Sequence, residues 1–157
     1  MSNRANKFKK IVHQNTQNIP DVTTVEAEFL GLITKPKTSS NTNAYLALKY
    51  YQPDHECFSE WTADELKAFS EFSRKLNQQT WQQVFQSGGK IGNKTGVGYT
   101  LHKDRSKLPQ SAVLDSISED INFFELRVTD KARVHGFRSI STFFLVWLDR
   151  NHQVYPM

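Results

Sequence analysis

The residues best suited to chemistry crowd toward the C-terminus of the chain. Phe124-Glu-Leu-Arg127-Val is followed by Ala132-Arg-Val-His135-Gly-Phe-Arg138, and then by Phe143-Phe-Leu-Val-Trp-Leu-Asp149-Arg-Asn-His152-Gln-Val-Tyr155. If Val128 pairs with Ala132 across the intervening turn, Arg127 opposes Arg133 and Glu125 opposes His135. The two-residue period of a strand then puts all four on one face, with Leu126 and Val134 on the other. Two opposed guanidinium groups repel unless an anion lies between them. Their juxtaposition is therefore either relieved by Glu125 or used to hold a phosphate.

Such a face meets the needs of RNA cleavage without a metal. A base must take the 2′-hydroxyl proton, a cation must balance the charge gathering on the phosphate, and an acid must protonate the departing 5′ oxygen. Histidine serves either proton role near neutrality, and arginine stays charged and grips phosphate with two parallel bonds. His135 is the first candidate for acid or base, and Arg127, Arg133 and Arg138 are the candidates for holding phosphate. His152 and Tyr155 are second candidates for proton transfer or base stacking. Lys90, Lys94, Lys103 and Arg105 are the further candidates for RNA contact. The bland alternatives are a structural Glu-Arg cluster, a satisfied histidine and C-terminal packing. Trp147 and Phe144 read as core, and Asp149 as the cap of the final turn.

No metal or cofactor site is expected. Asp54-His-Glu-Cys57 gathers four ligand types, but neighbours in a strand or turn do not converge on one ion. Nothing sets a base beside Cys57, the one cysteine. The glycine-rich run Gly88-Gly-Lys-Ile-Gly-Asn-Lys-Thr-Gly-Val-Gly98 fails as a P-loop, because Asn93 separates Gly92 from Lys94-Thr95 and the element before it is a helix.

The elements that must position these residues are legible in outline. Val25, Ala27 and Phe29 alternate with Thr24, Glu26 and Glu28, and Ala44 to Tyr51 alternates again, which predicts an N-terminal hairpin. Thr62-Ala-Asp-Glu65 and Thr80-Trp-Gln-Gln83 are capping boxes, each opening a helix. Leu66, Phe69, Phe72 and Leu76 carry the first helix to about Asn77, and Trp81, Val84 and Phe85 carry the second to Gly88-Gly89. Residues 121–128, 132–137 and 143–148 predict an antiparallel meander, with a further short strand over Gln153–Tyr155.

With 157 residues and 38% hydrophobic content, one principal core is the expectation. No apolar stretch approaches the length of a membrane span, and the polar N-terminus lacks the apolar run of a signal peptide. A single cysteine excludes an intrachain disulfide framework, so a cytoplasmic location is expected. The net charge of +4 comes from Arg4, Lys7, Lys9 and Lys10 in a basic arm over residues 1–20, read as flexible. The remainder is neutral but blocked, with acids over residues 53–73 and bases over 74–107, which creates local fields.

Two helices followed by an arginine-bearing antiparallel meander, with His152 and Tyr155 near the end, resemble the RelE/ParE-like toxin superfamily. The resemblance covers residues 62–157 and rests on Arg127, Arg133-Val-His135-Gly-Phe-Arg138 and the Asp149-to-Tyr155 tail. It implies an endoribonuclease of toxin type cleaving messenger RNA, including RNA on the ribosome, held inactive by a small protein antitoxin. Phosphate-binding bases and a C-terminal proton-transfer residue would sit at those positions. The competing reading is a non-enzymatic RNA- or protein-binding module, regulatory or involved in phage defence. Either way the expected architecture is α+β: an antiparallel sheet against two helices in one domain over 21–157, with 21–61 an added hairpin.

Overall fold

The two capping boxes form as their spacing predicts. In the computed structural model, which describes residues 40–88 and 96–156, Glu65 N donates to Thr62 Oγ1 at 3.3 Å while Thr62 N donates to Glu65 Oε2 at 2.7 Å. Thr80 and Gln83 repeat the exchange. They open helix α1 (Ala63–Asn77) and helix α2 (Trp81–Gln86). A third helix, α3 (Ala112–Ser116), occupies a stretch whose sequence carries no clear periodicity.

The described residues form a five-stranded sheet of β1 (Tyr45–Ala47), β2 (Thr100–Leu101), β3 (Phe123–Arg127), β4 (Arg133–Ser139) and β5 (Thr142–Asp149), in the order β1-β5-β4-β3-β2. The α+β class stands, with one amendment. All pairings are antiparallel except β1 with β5, which is parallel. Tyr45–Ala47, expected as one arm of a hairpin, is thus an edge strand of the main sheet. Ala44 beside it is fully buried, and Tyr45 N donates to Ser141 O. The other predicted arm, the basic arm over 1–20, and Lys90 and Lys94 lie outside the described residues.

The β3–β4 register is the one the turn spacing predicts: Glu125 opposes His135, Leu126 opposes Val134 and Arg127 opposes Arg133. Period two then divides the sheet. On one face Phe124, Leu126, Val134, Phe143, Leu145 and Leu148 pack with Phe72 and Leu76 of α1 and Trp81 and Val84 of α2. On the other, Phe123, Phe137, Val146 and Trp147 pack with Leu108, Leu114, Ile117 and Val154. A bulge makes the second layer possible. Between His135 and Gly136 the register shifts, so that His135 faces Trp147 while Gly136 faces Leu145, leaving Val146 as the extra residue. That insertion lets Trp147 share a face with Val146. It requires glycine at 136, because a Cβ there would strike the Phe144 carbonyl.

The predicted strand over Gln153–Tyr155 does not form. Asp149 caps this turn instead, its carboxylate accepting from Gln153 N at 2.7 Å and Val154 N at 2.8 Å. Satisfying both amides with one side chain removes the need for a strand partner. No helix among the described residues is long and apolar enough to cross a membrane.

Candidate polar site on the sheet face away from α1 and α2

On the face away from α1 and α2, beside the Phe123–Trp147 layer, six ionisable side chains meet. Glu125 and Arg133 project from β3 and β4 and His135 stands beside them, all on one face by alternation. Asp149 closes β5, His152 follows in a turn held with a left-handed backbone (φ 56°), and His102 ends the extension of β2. His102 is set by its backbone N–H, which donates to Phe123 O at 2.9 Å.

The inner part is a chain of contacts. Asp149 Oδ2 lies 3.0 Å from His135 Nε2, and His135 Nδ1 lies 2.9 Å from His102 Nε2. Burial by itself would raise the Asp149 carboxyl. The hydrogen bonds from His135 and the two backbone amides outweigh it and bring the carboxyl down to about 2. Asp149 is therefore an anion at neutral pH, and the proton shared with it sits on His135 Nε2. In neutral His135 that leaves Nδ1 with its lone pair facing His102. Burial, then the neighbouring His135 and His152, push His102 down to about 3, so its imidazole is uncharged. Tyr155 stacks on its ring at 4.1 Å and accepts from Asp104 N at 3.0 Å.

The outer part centres on Glu125. Its Oε2 lies 3.3 Å from His152 Nε2 and 3.9 Å from His135 Nδ1, and its Oε1 lies 3.6 Å from Arg133 Nε. Glu125 thus sits between the two neighbours its sequence position implies, as a carboxylate beside an arginine and a histidine. Arg133 is held rigidly, donating to the carbonyls of Thr129, Ala132 and Asp130. Burial lowers its pKa from the ordinary arginine value, with Glu125 pulling the other way.

The candidates named from sequence separate. His135, Arg133, His152 and Tyr155 come together, but His135 is fully buried, at 0% exposure, and does not meet solvent; His152, with its side chain 29% exposed, does. Sealing comes from the side chains gathered around it, His102 at 2.9 Å, Asp149 at 3.0 Å and Glu125 at 3.9 Å. Arg127 lines a separate cleft with Glu71, Lys75, Val97 and Asp130. Arg138 is on the helix-bearing side, its guanidinium 4.7 Å from the Trp81 ring and its Nε donating to Ile140 O. Arg105 donates to the carbonyls of Leu114, Ile117 and Ser118, closing the end of α3, and lies over Phe123. Lys103 is exposed next to His102.

His102 is the member that sequence reasoning missed. Thr100 pairs with Glu125, so alternation alone would have put His102 on the Glu125 face. The missing information was that pairing, because β2 and β3 are separated by more than twenty residues. Glu125 was visible only as a neutraliser of arginines. The donor set can also hold a cation, since His102, Glu125 and His135 each offer a ligand atom within 4.8 Å of the others. Compared with known protein families, with curated proteins and with solved structures, the chain matches none of them.

Proposed function

We propose that the chain is an endoribonuclease of toxin type that cleaves messenger RNA without a metal in the reaction. The acid–base couple is Glu125 and His152, and His135 stands behind them as a support. One observation carries this reading: a buried carboxylate lies 3.3 Å from a partly exposed imidazole and 3.6 Å from a guanidinium. Those are the three chemical types that transesterification of RNA requires, and the imidazole gives the group access to solvent.

In this mechanism Glu125 takes the proton of the 2′-hydroxyl. The 2′ oxygen attacks phosphorus, and the bond from phosphorus to the 5′ oxygen breaks. His152 gives its proton to that oxygen, leaving a 2′,3′-cyclic phosphate and a free 5′-hydroxyl. Arg133 balances charge on the phosphate, and its three bonds to the 129–132 turn keep it from swinging away. His135, tied to anionic Asp149, backs the Glu125 carboxylate at 3.9 Å and holds its orientation. Tyr155, packed on His102, closes the inner wall. Two capped helices upstream of an arginine-bearing meander, with β2 and α3 between them, also support this reading, being close to the arrangement behind the toxin resemblance.

The test is cleavage of messenger RNA, free and ribosome-bound, by the purified chain. Glu125→Gln and His152→Gln are each expected to slow cleavage by about 10²–10⁴-fold, the usual worth of a positioned acid or base, with far-UV circular dichroism unchanged. The products should carry 2′,3′-cyclic phosphate ends. RNA left intact by the wild-type chain on both substrates overturns the proposal, and binding without turnover in every variant selects the non-enzymatic module.

A further inference from the structure

We propose that His102, His135 and Glu125 form a binding site for a divalent transition metal of the zinc class, with Asp149 as the outer support of His135 and His152 at its mouth. The site shares Glu125, His135 and, at its mouth, His152 with the cleavage reading but does not rest on it. His102 and His135 are outside the reacting couple, so binding and catalysis can fail separately.

The geometry is near that of a ligand set, one donor separation being shorter and another longer than a bound ion would impose. A tetrahedral zinc with nitrogen and oxygen ligands at about 2.0–2.2 Å separates its donor atoms by about 3.3–3.5 Å. Here His102 Nε2 to His135 Nδ1 is 2.9 Å and His135 Nδ1 to Glu125 Oε2 is 3.9 Å, values that bracket the requirement. All three residues are buried, which suits a closed site and sets them apart from exposed acidic groups that merely lie near one another.

The surroundings of His135 supply an independent argument. A metal-bound imidazole commonly gives its other ring N–H to a carboxylate, fixing the tautomer and aiming the free lone pair. His135 does this: Nε2 meets Asp149 Oδ2 at 3.0 Å, and Nδ1 points at His102 and Glu125. Asp149 is itself held by Gln153 N and Val154 N, so the support is rigid. Without an ion, one of the two facing imidazole nitrogens must carry a proton to avoid lone-pair repulsion; an ion between them removes that need. Two imidazoles and one carboxylate suit zinc better than magnesium or calcium, which favour all-oxygen sites. His152 Nε2, 3.3 Å from Glu125 Oε2, or a water takes the fourth position. The ion would occupy the Glu125 oxygen that the cleavage reading uses as base, so the loaded chain should cleave RNA more slowly.

The experiment uses the full 157-residue chain and zinc chloride. Calorimetric titration should give one ion per chain. Zinc K-edge absorption of the loaded wild-type chain should show at least two imidazoles and no sulfur ligand. His102→Gln and Glu125→Gln should weaken binding at least 100-fold, and Asp149→Asn by about 10–100-fold. Failure of the wild-type chain to bind zinc overturns the proposal. So does a sulfur ligand from Cys57, or affinity unchanged in folded His102→Gln. If that variant does not fold, the wild-type absorption spectrum decides alone.

Discussion

The two faces of one sheet come from the same three strands yet are built differently. Toward α1 and α2, the alternate residues Phe124, Leu126, Val134 and Leu148 are apolar and sealed, with Arg138 intruding to lie over Trp81 and Phe85. Toward the C-terminal turn, the intervening positions Glu125, Arg133, His135 and Asp149 carry charge or titrate, and they meet His102 and His152 beside an aromatic layer. His135, Glu125, His102 and Asp149 are buried as deeply as the apolar residues, whereas Arg133 and His152 are only partly covered. The comparison teaches that stability and chemistry are separated here by strand parity, with neither face confined to the surface.

The largest expected effect breaks the apolar face. Leu126→Ala removes a fully buried side chain under α1 and should cost about 2–5 kcal/mol by urea denaturation, the range for a buried leucine that leaves a cavity. A cost below 1 kcal/mol would mean that this face is not the main source of stability.

The next effect sharpens the comparison by making the polar face titrate. Asp149 is held at about 2, below the ordinary aspartate value near 3.9, so its contribution is complete above about pH 4 and is lost as pH falls toward 2. A shift of nearly two units corresponds to about 2–3 kcal/mol. Denaturation midpoints from pH 6 to pH 2 should therefore fall more steeply in the wild-type chain than in Asp149→Asn. Parallel acid limbs would mean that another group organises this face.

A smaller effect acts through the lid of the apolar face. Thr62→Ala removes one half of the capping box of α1 and should cost about 1 kcal/mol. Because α1 touches the first face, RNA cleavage and zinc affinity should be unchanged in the same variant. Loss of either would tie the polar site to α1.

Much of this division was readable beforehand. The short Thr129-Asp-Lys131 turn sets the β3–β4 register, and the strict alternation of Leu126 and Val134 against Glu125 and His135 then assigns the faces. The helix starts were equally plain, because Thr62/Glu65 and Thr80/Gln83 close their own hydrogen bonds within four residues. The RNA contact expected of Arg105 was not distinguishable from capping until Leu114, Ile117 and Ser118 turned their carbonyls toward it. Arg138 was assigned from its neighbours in the sequence, yet its parity on β4 places it on the opposite side from His135.

Local patterns thus determined α1 and α2, their caps, the strands of the meander and one strand pairing, since each depends on groups a few residues apart whose geometry is set by turn length and periodicity. Tertiary structure alone decided that β1 joins β5 in parallel, that a bulge at Gly136 lets Val146 and Trp147 share a face, and that His102 reaches His135 across 33 positions of chain. It also decided how deeply His135 lies. Depth depends on what the rest of the chain lays over a strand, and no spacing within the strand encodes that.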